Sequence, residues 1–388
     1  MTIQGVPIAR VSTVPFFVVT QLSAQLQALH QAGADVHVIA SDDGMGDALH
    51  GMDYVRFVPV SIPREISPFR DLLSLIHLTL VFRRGRYKIV HSTTPKAGLL
   101  TALAGLLAGV PVRLHTYTGQ PWVTMKGLKK AILIGCDRLI GKLNTHTYTD
   151  SHSQRDFLIN AGVVAPSKLS VIGSGSLAGV DVERFDAQRF NGCDKQALRA
   201  ALGIPDTSKV VLFVGRVTRD KGIAELLKAH LQLLEAGEDV YLLMVGPDEA
   251  DGLDIVRVLG GGGNSDRIKL VGFSAEPEKY MAISDLLGLP SYREGFGTVV
   301  IEAAAMGLPT VGTAIYGLTD AVVEGKTGLL VPVGDDRALA QALSSLLQNP
   351  DKLRAMSANA RERARNEFDS KRLSALLIEQ YEGFLNGR

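Results

Sequence analysis

Two segments of the 388-residue chain combine glycine with fixed charges in patterns suited to phosphate and sugar chemistry. The first is Gly215-Arg216-Val-Thr-Arg-Asp-Lys221-Gly222, which leaves the apolar run KVVLFV and enters the helical pattern IAELLKAH. Gly215 permits an unusual backbone angle at a strand exit. Arg216 offers a planar fork that fits phosphate oxygens, and Lys221 a point charge at a helix start. Together they suit a diphosphate. Spacing alone does not separate that reading from two surface charges on a loop, the role that Arg219 and Asp220 fit.

The second is Pro290-Ser-Tyr-Arg-Glu294-Gly295-Phe296-Gly297-Thr298-Val299-Val-Ile-Glu302-Ala-Ala-Ala-Met-Gly307. A strand ends at Pro290, a loop holds Glu294, and a helix begins near Thr298. The backbone N–H groups of Thr298 and Val299 then lie at a helix N-terminus, where anions are favoured. Glu302 falls about one turn inside, among apolar residues. A carboxylate there requires hydrogen-bond donors, which sugar hydroxyls or a structural arginine would supply. Two other glycine clusters carry less. In Gly173-Ser-Gly175-Ser-Leu-Ala-Gly179 the spacing is loose and the following VDVERF opens no amphipathic helix, so it reads as a loop crossing between domains. The run 260–263 reads as a flexible turn.

The elements that must position these segments alternate. IARVST, VHVIA, YVRFVPV, YKIVHST and VRLHTYT read as strands, separated by helical patterns over 22–32, 68–84 and 97–108, with THTYTDS and LSVIGSG as the last strands. After Asp181 the rhythm restarts with KVVLFVGRV, a helix over 222–235, VYLLMVG, IKLVGF, LLGLPS, a helix through 300–306 and LPTVGT. From Asp351 the tail is helical by propensity. Buried strands separated by helices form βαβ units. The fold class expected is α/β, with two doubly wound domains and a ligand in the cleft at the carboxyl ends of the strands.

Composition narrows the function classes. At 46% hydrophobic and 21% charged residues, disordered and fibrous chains are excluded. Cys136 and Cys193 make neither a disulfide framework nor a zinc pattern, and no Asp-x-Asp pair occurs. The start has no secretory pattern, and the longest apolar run, 97–110, is shorter than the roughly 20 residues of a membrane span. A cytoplasmic protein is expected. The net charge of +1 argues against a nucleic-acid partner, yet it hides an asymmetry. Between Arg64 and Lys142 stand 13 Lys or Arg against Glu65, Asp71 and Asp137, a net of +10, so the rest of the chain carries −9. Arg83, Arg84, Arg86 and Lys88 follow an apolar helix, and Lys126, Lys129, Lys130, Arg138 and Lys142 alternate with apolar residues. Such a pattern fits an anionic lipid surface or a solvated helix face.

The two charged segments, with Gly317-Leu-Thr-Asp-Ala and Gly325-Lys-Thr-Gly328-Leu-Leu-Val behind them, resemble the signatures of retaining GT-B glycosyltransferases of family 4. The resemblance is dense over 290–333, and its order fits nearly the whole chain. It implies two Rossmann-like domains facing across a cleft. Residues 1–180 with 366–388 would form the acceptor-side domain and 181–365 the donor-binding domain, with the final helix crossing back. It also implies catalytic roles for Arg216 and Lys221 on the donor diphosphate and for Glu294 on the donor sugar. Glu302 would accept from the ribose hydroxyls, and Gly215, Gly295, Phe296, Gly297, Thr298 and Val299 would contact the donor. Val271 and Phe273 would frame the base. No cofactor and no metal are implied.

HSTTPKAGLL and TYTGQPW resemble the branch of that family that extends saccharides on a polyprenyl-diphosphate carrier. This implies a nucleotide-sugar donor, most simply UDP-linked, a lipid-linked saccharide acceptor, and a place on the inner face of the cell membrane. The chain departs from the family pattern in its first half. Ser12-Thr-Val-Pro-Phe-Phe-Val stands where many relatives have a glycine pair, and Thr118 stands before Gly119 where many have histidine. The acceptor-side candidates are therefore His91, His115 and the loop with Thr118, Gly119 and Gln120, with the loop preferred to either histidine. Two alternatives remain: an enzyme of the same fold with a soluble acceptor (a sucrose- or trehalose-type synthase) or a nucleotide-sugar epimerase, and a non-catalytic sugar- or lipid-surface-binding module.

Overall fold

A computed structural model describes residues 1–42, 49–63, 65, 67–248, 250–260 and 265–387. Arg64 of the basic stretch and residues 261–263 of the glycine run lie outside the described residues. The chain divides into two compact units, Met1–Gly179 with Ser370–Arg388, and Val180–Asp369. The return to the first unit comes at Ser370, later than the expected 366. Helix Pro350–Glu367 stays in the second unit because Met356, Ala360 and Ala364 are buried in that unit's core.

In the first unit, β1 (Pro7–Val11), β2 (Asp35–Ala40), β3 (Arg56–Pro59), β4 (Ile89–Ser92), β5 (Val112–Tyr117), β6 (His146–Thr149) and β7 (Leu169–Val171) form a parallel sheet ordered β3-β2-β1-β4-β5-β6-β7. In the second, β8 (Lys209–Val214), β9 (Val240–Val245), β10 (Ile268–Gly272), β11 (Leu286–Leu289), β12 (Thr310–Thr313) and β13 (Gly328–Val331) are ordered β10-β9-β8-β11-β12-β13. Parallel strands covered by helices on both faces require continuous apolar sequence. VYLLMV in β9 is buried at every position. The sequence pattern did not identify β13, a four-residue strand paired to β12.

Each sheet reverses its winding at one strand. β1 pairs with β2 on one side and β4 on the other, and β8 with β9 and β11. Ligands of open α/β sheets sit outside the carboxyl ends of the strands at such a point. The segments 215–222 and 290–297 are the loops that leave β8 and β11, so both signatures stand at the second unit's switch point.

Local chemistry starts the helices. Pro68 and Pro95 occupy first helical positions, where a missing N–H costs nothing. Helices His152–Asn160, Gly192–Ala201 and Asp336–Leu347 were not read from periodicity, although Ser151, Asn191 and Asp335 cap them. A π turn over Val18–Leu22 delays the helix expected at 22 to Ser23–Gln31. The tail is two helices, and the second, Ser370–Leu385, buries Leu373, Leu377 and Tyr381 in the first unit's core beside Leu26 and Leu29. Each such burial stabilises by about 1.5–3 kcal/mol.

Candidate active site

Close backbone approaches bring the two signature loops together. Gly222 has φ +72°, and a Cβ there would lie 2.1 Å from the Pro290 carbonyl oxygen. The Tyr292 amide donates to the Asp220 carbonyl at 2.9 Å. Arg293 Nη2 donates to Asp220 Oδ2 at 2.8 Å, and the Tyr292 hydroxyl to Glu225 Oε1 at 2.8 Å. At the centre, Lys221 Nζ donates to Glu294 Oε1 at 2.5 Å, and the Ser291 hydroxyl donates to the same oxygen at 2.8 Å. The side chains of this ion pair are 18% and 12% exposed. Arg216 is exposed on the same loop. The exits of β8 and β9 also touch through backbone, since a Cβ on Gly246 would overlap the Gly215 carbonyl.

Gly297, at φ +84°, turns the chain into helix Thr298–Ala305. Among the described residues no side chain caps this helix. The Val300 amide donates to the Gly297 carbonyl, whereas the amides of Thr298 and Val299 open the first turn, where N–H groups have no intrahelical partner. Phe296 is buried against Phe368, ring centroids 5.2 Å apart, and Gly295 lies under Gly317, whose absent Cβ would come within 2.6 Å of the Gly295 carbonyl oxygen. Glu302 follows one turn in and is half-buried. Loss of solvation pushes its carboxyl up to about 7, with Arg184 pulling down and Glu278 pushing further up. Val271 is half-buried at the end of β10, and Phe273 is exposed just beyond it. The site thus offers cations, open helix-end amides and two carboxylates at the carboxyl ends of adjacent strands. Cations, helix-end amides and carboxylates are the groups that suit a phosphate ester of a polyhydroxyl compound.

In the first unit, both candidate histidines are enclosed. His91 Nδ1 hydrogen-bonds with the Tyr381 hydroxyl at 2.6 Å and Nε2 with the Thr116 hydroxyl at 2.8 Å. Burial, then the nearby Arg10, His115 and His146, holds it well below the usual histidine range. His115 hydrogen-bonds with Ser92 at 2.9 Å, and burial pushes it down to about 3. Both rings are therefore neutral at physiological pH. The loop after β5 places Thr118, whose hydroxyl donates to the Thr93 carbonyl at 3.2 Å, then Gly119 at φ +103°, then buried Gln120, which accepts from Gln154 at 3.1 Å. At this unit's own switch point, the loops after β1 and β4 are tied by Thr13 and Thr94, hydroxyl to hydroxyl at 2.6 Å.

The sequence did not single out Ser291, Asp220 or Arg293 as partners of the charged residues. Their types were visible, but Asp220 meets Arg293 across 73 residues, as Lys221 meets Glu294, and the turn that folds Ser291 back onto Glu294 three residues on has no signature of its own. Arg184 and Glu278, beside Glu302, gave no signal beyond the expectation that a buried glutamate needs a donor or an arginine.

Residues 194–363 match the family described as glycosyl transferases group 1, and residues 18–175 the glycosyl transferase 4-like domain. The chain is 30% identical over 371 residues to the capsular polysaccharide biosynthesis glycosyltransferase CapM of Staphylococcus aureus, covering 94% of each chain. It is 28% identical over 344 residues to the UDP-Gal:alpha-D-GlcNAc-diphosphoundecaprenol alpha-1,3-galactosyltransferase of Escherichia coli, covering 86% of this chain and 85% of that one. Among solved structures, the sucrose-phosphate synthase of Thermosynechococcus elongatus superposes with a TM-score of 0.82 at 23% identity, over 99% of this chain and 100% of that one. With two parallel-sheet domains, both family matches and a relative that spans nearly its whole length, this chain belongs to the family 4 glycosyltransferases of the GT-B fold and is itself a glycosyltransferase.

Proposed function

We propose that the enzyme moves a hexose or N-acetylhexosamine from a UDP-sugar to a lipid-linked saccharide, with retention at the anomeric carbon and without a divalent metal. The observation that carries this reading is the Lys221–Glu294 ion pair beside the open amides of Thr298 and Val299. In the unliganded site Glu294 holds Lys221. An arriving diphosphate takes over the lysine together with Arg216 and the helix-end amides, and Glu294 is released to accept hydrogen bonds from the donor sugar. As the glycosidic bond breaks, negative charge grows on the diphosphate. Fixed cations and aligned amides stabilise that charge without reorganising. The acceptor hydroxyl attacks the face from which the leaving group departs and gives its proton to the diphosphate. Glu302 accepts from the ribose hydroxyls, and Val271 and Phe273 flank the base. The acceptor enters beside Thr118, Gly119 and Gln120. The names of the Staphylococcus and Escherichia relatives support the saccharide-assembly setting, and the second also supports a UDP donor and a diphosphoundecaprenol carrier.

A surface of the first unit supports a lipid-linked acceptor. Helix Pro68–Gly85 buries Ser74, Leu78 and Phe82, yet its other side exposes Phe69, Leu72, Leu73, Ile76 and Leu80. That spacing is one continuous helical stripe. Helix Gly127–Leu143 exposes Leu128 and Ile132 alongside Lys129, Arg138 and Lys142. Apolar ridges flanked by cations suit the interface of an anionic bilayer, where each basic residue contributes about 1 kcal/mol. Among the described residues no helix is long and apolar enough to cross a membrane. On this reading the enzyme lies on the inner face of the cell membrane as a peripheral protein.

The donor assignment is tested by thermal shift with UDP-, GDP- and ADP-sugars, because a ligand that binds only the folded state raises its stability. Stabilisation by UDP-sugars is expected. Stabilisation by GDP-sugars alone overturns the choice of base.

A further inference from the structure

Behind Glu302 lies a charge cluster that the proposed chemistry leaves unused. Arg184 grips Glu278 with both arms, Nε to Oε1 at 2.9 Å and Nη2 to Oε2 at 2.8 Å. Its Nη2 also donates to the Ala275 carbonyl at 2.6 Å. The Glu278 side chain is only 7% exposed. The backbone carrying Arg184 is itself fixed, since Asp181 Oδ1 accepts from the amides of Glu183 and Arg184 at 3.0 Å and Arg189 Nη1 donates to the Arg184 carbonyl at 2.6 Å. Ala275 and Glu278 follow Phe273 at the base end of the proposed donor site, and the helix bearing Glu278, Pro277–Met281, packs on the helix bearing Glu302. The guanidinium's hydrogen bonds are therefore committed to Glu278, and it acts on Glu302 only through space.

We propose that Arg184 and Glu278 are positioning residues of the donor site, which leave Glu302 deliberately under-compensated so that nucleotide hydroxyls complete its partners. The proposal rests on the reading that Glu302 meets the ribose. An arginine paired bidentately with Glu302 would saturate it and compete with the nucleotide. An arginine shared with a second carboxylate instead leaves Glu302 partly protonated when the site is empty. Two hydroxyl donors favour its ionised form, so nucleotide binding releases a proton and strengthens as pH rises. Other charges on the packed elements are already engaged. Arg363 donates to Ala321 and Asp320 carbonyls and to Glu367, Arg361 lies against the Met306 carbonyl, and Lys279 is paired with Glu276. Asp320 comes from the short helix Leu318–Ala321, and Asp181 stands beside Arg184.

The test is calorimetric titration of the full chain with UDP between pH 5.5 and 8.5. The β-phosphate's own titration is common to all variants, so differences between them report on the protein. In the wild type, affinity is expected to rise by about tenfold per pH unit below a midpoint near 7 and to level off above it. Arg184→Gln should move that midpoint up and Glu278→Gln should move it down, by about one unit each. Arg184→Lys, which keeps the cation, should restore most of the shift. A merely structural role would weaken binding in both variants without separating the midpoints, and that result overturns the proposal. If Arg184→Gln fails to fold, Glu278→Gln decides alone, and an unmoved midpoint overturns it. Glu302→Gln separates the two levels. If it binds UDP with the wild-type affinity and pH profile, the ribose reading itself fails. If it flattens the profile while the other two variants leave the midpoint in place, only the Arg184–Glu278 inference fails.

Discussion

Removing the Lys221 ammonium separates its two proposed duties, as counterion of Glu294 and as cation for the leaving group. In Lys221→Met the Glu294 carboxylate, 12% exposed, keeps among the described residues only the Ser291 hydroxyl at 2.8 Å. A fully buried pair broken from one side costs about 3–5 kcal/mol. This pair keeps some contact with water, so a loss of about 1–3 kcal/mol is expected. In a unit of this size that lowers the melting temperature by roughly 3–10 °C. Lys221→Met/Glu294→Gln removes both charges and should recover most of that loss. Catalysis should behave differently. Losing one fixed donor to charge that grows in the transition state costs about 2.7–4 kcal/mol, or roughly 10²–10³-fold in turnover. The assay is sugar release from a UDP-sugar at saturating donor, run beside thermal unfolding of the same samples at pH 7.5. The double variant should melt near wild type and stay slow. If it regains the wild-type rate together with its melting temperature, Lys221 acts only as counterion to Glu294, and its role at the diphosphate is refuted. If Lys221→Met alone melts like wild type, the pair is not desolvated and contributes nothing to stability.

Glu302 predicts an opposition between stability and binding. Its carboxyl is raised from 4.5 to about 7, so the apo protein loses stability as pH climbs through that window, by at most about 3–4 kcal/mol at 1.36 kcal/mol per unit. Glu302→Gln should therefore raise the denaturant midpoint at pH 8 and leave it unchanged at pH 4.5, and a lowered midpoint at pH 8 contradicts the sign. Gly222→Ala forces a left-handed φ of +72° on a residue with a Cβ, costing about 1–2 kcal/mol, and drives that Cβ into the Pro290 carbonyl. The signature loops must then separate, and transfer should fall about 10²-fold even in samples that remain folded by circular dichroism. Leu73→Asp and Ile76→Asp alter residues half exposed on helix Pro68–Gly85, so stability should hold while flotation with phosphatidylglycerol vesicles is lost. Vesicle binding by wild type should weaken with salt, since cations contribute to it. Retained flotation in both variants would exclude this ridge as the docking face.

Much of the fold could be read from the chain because its causes are local. The apolar runs of β1, β8 and β9, the proline starts of helices Pro68–Gly85 and Pro95–Leu107, and the glycines of 215–222 and 290–297 declare themselves within a few residues. The charge asymmetry of the first unit is a property of composition. The sequence also marks Glu302 as out of keeping with its apolar setting, and Lys221 and Glu294 as charges in glycine-bearing loops. Tertiary structure alone decided which of these meet. Strand order placed β11 beside β8, and so set Lys221 on Glu294 across 73 residues, while packing of the segment before β8 against helix Pro277–Met281 set Arg184 on Glu278 across 94. Packing of the last helix brought Tyr381 to His91 across 290 residues and enclosed a histidine that its strand-end position suggested was open. The physical reason is that local sequence biases the backbone toward strand, turn or helix. Neighbours in a parallel sheet are chosen by the requirement that every strand bury both faces, and that condition is met only by the chain as a whole.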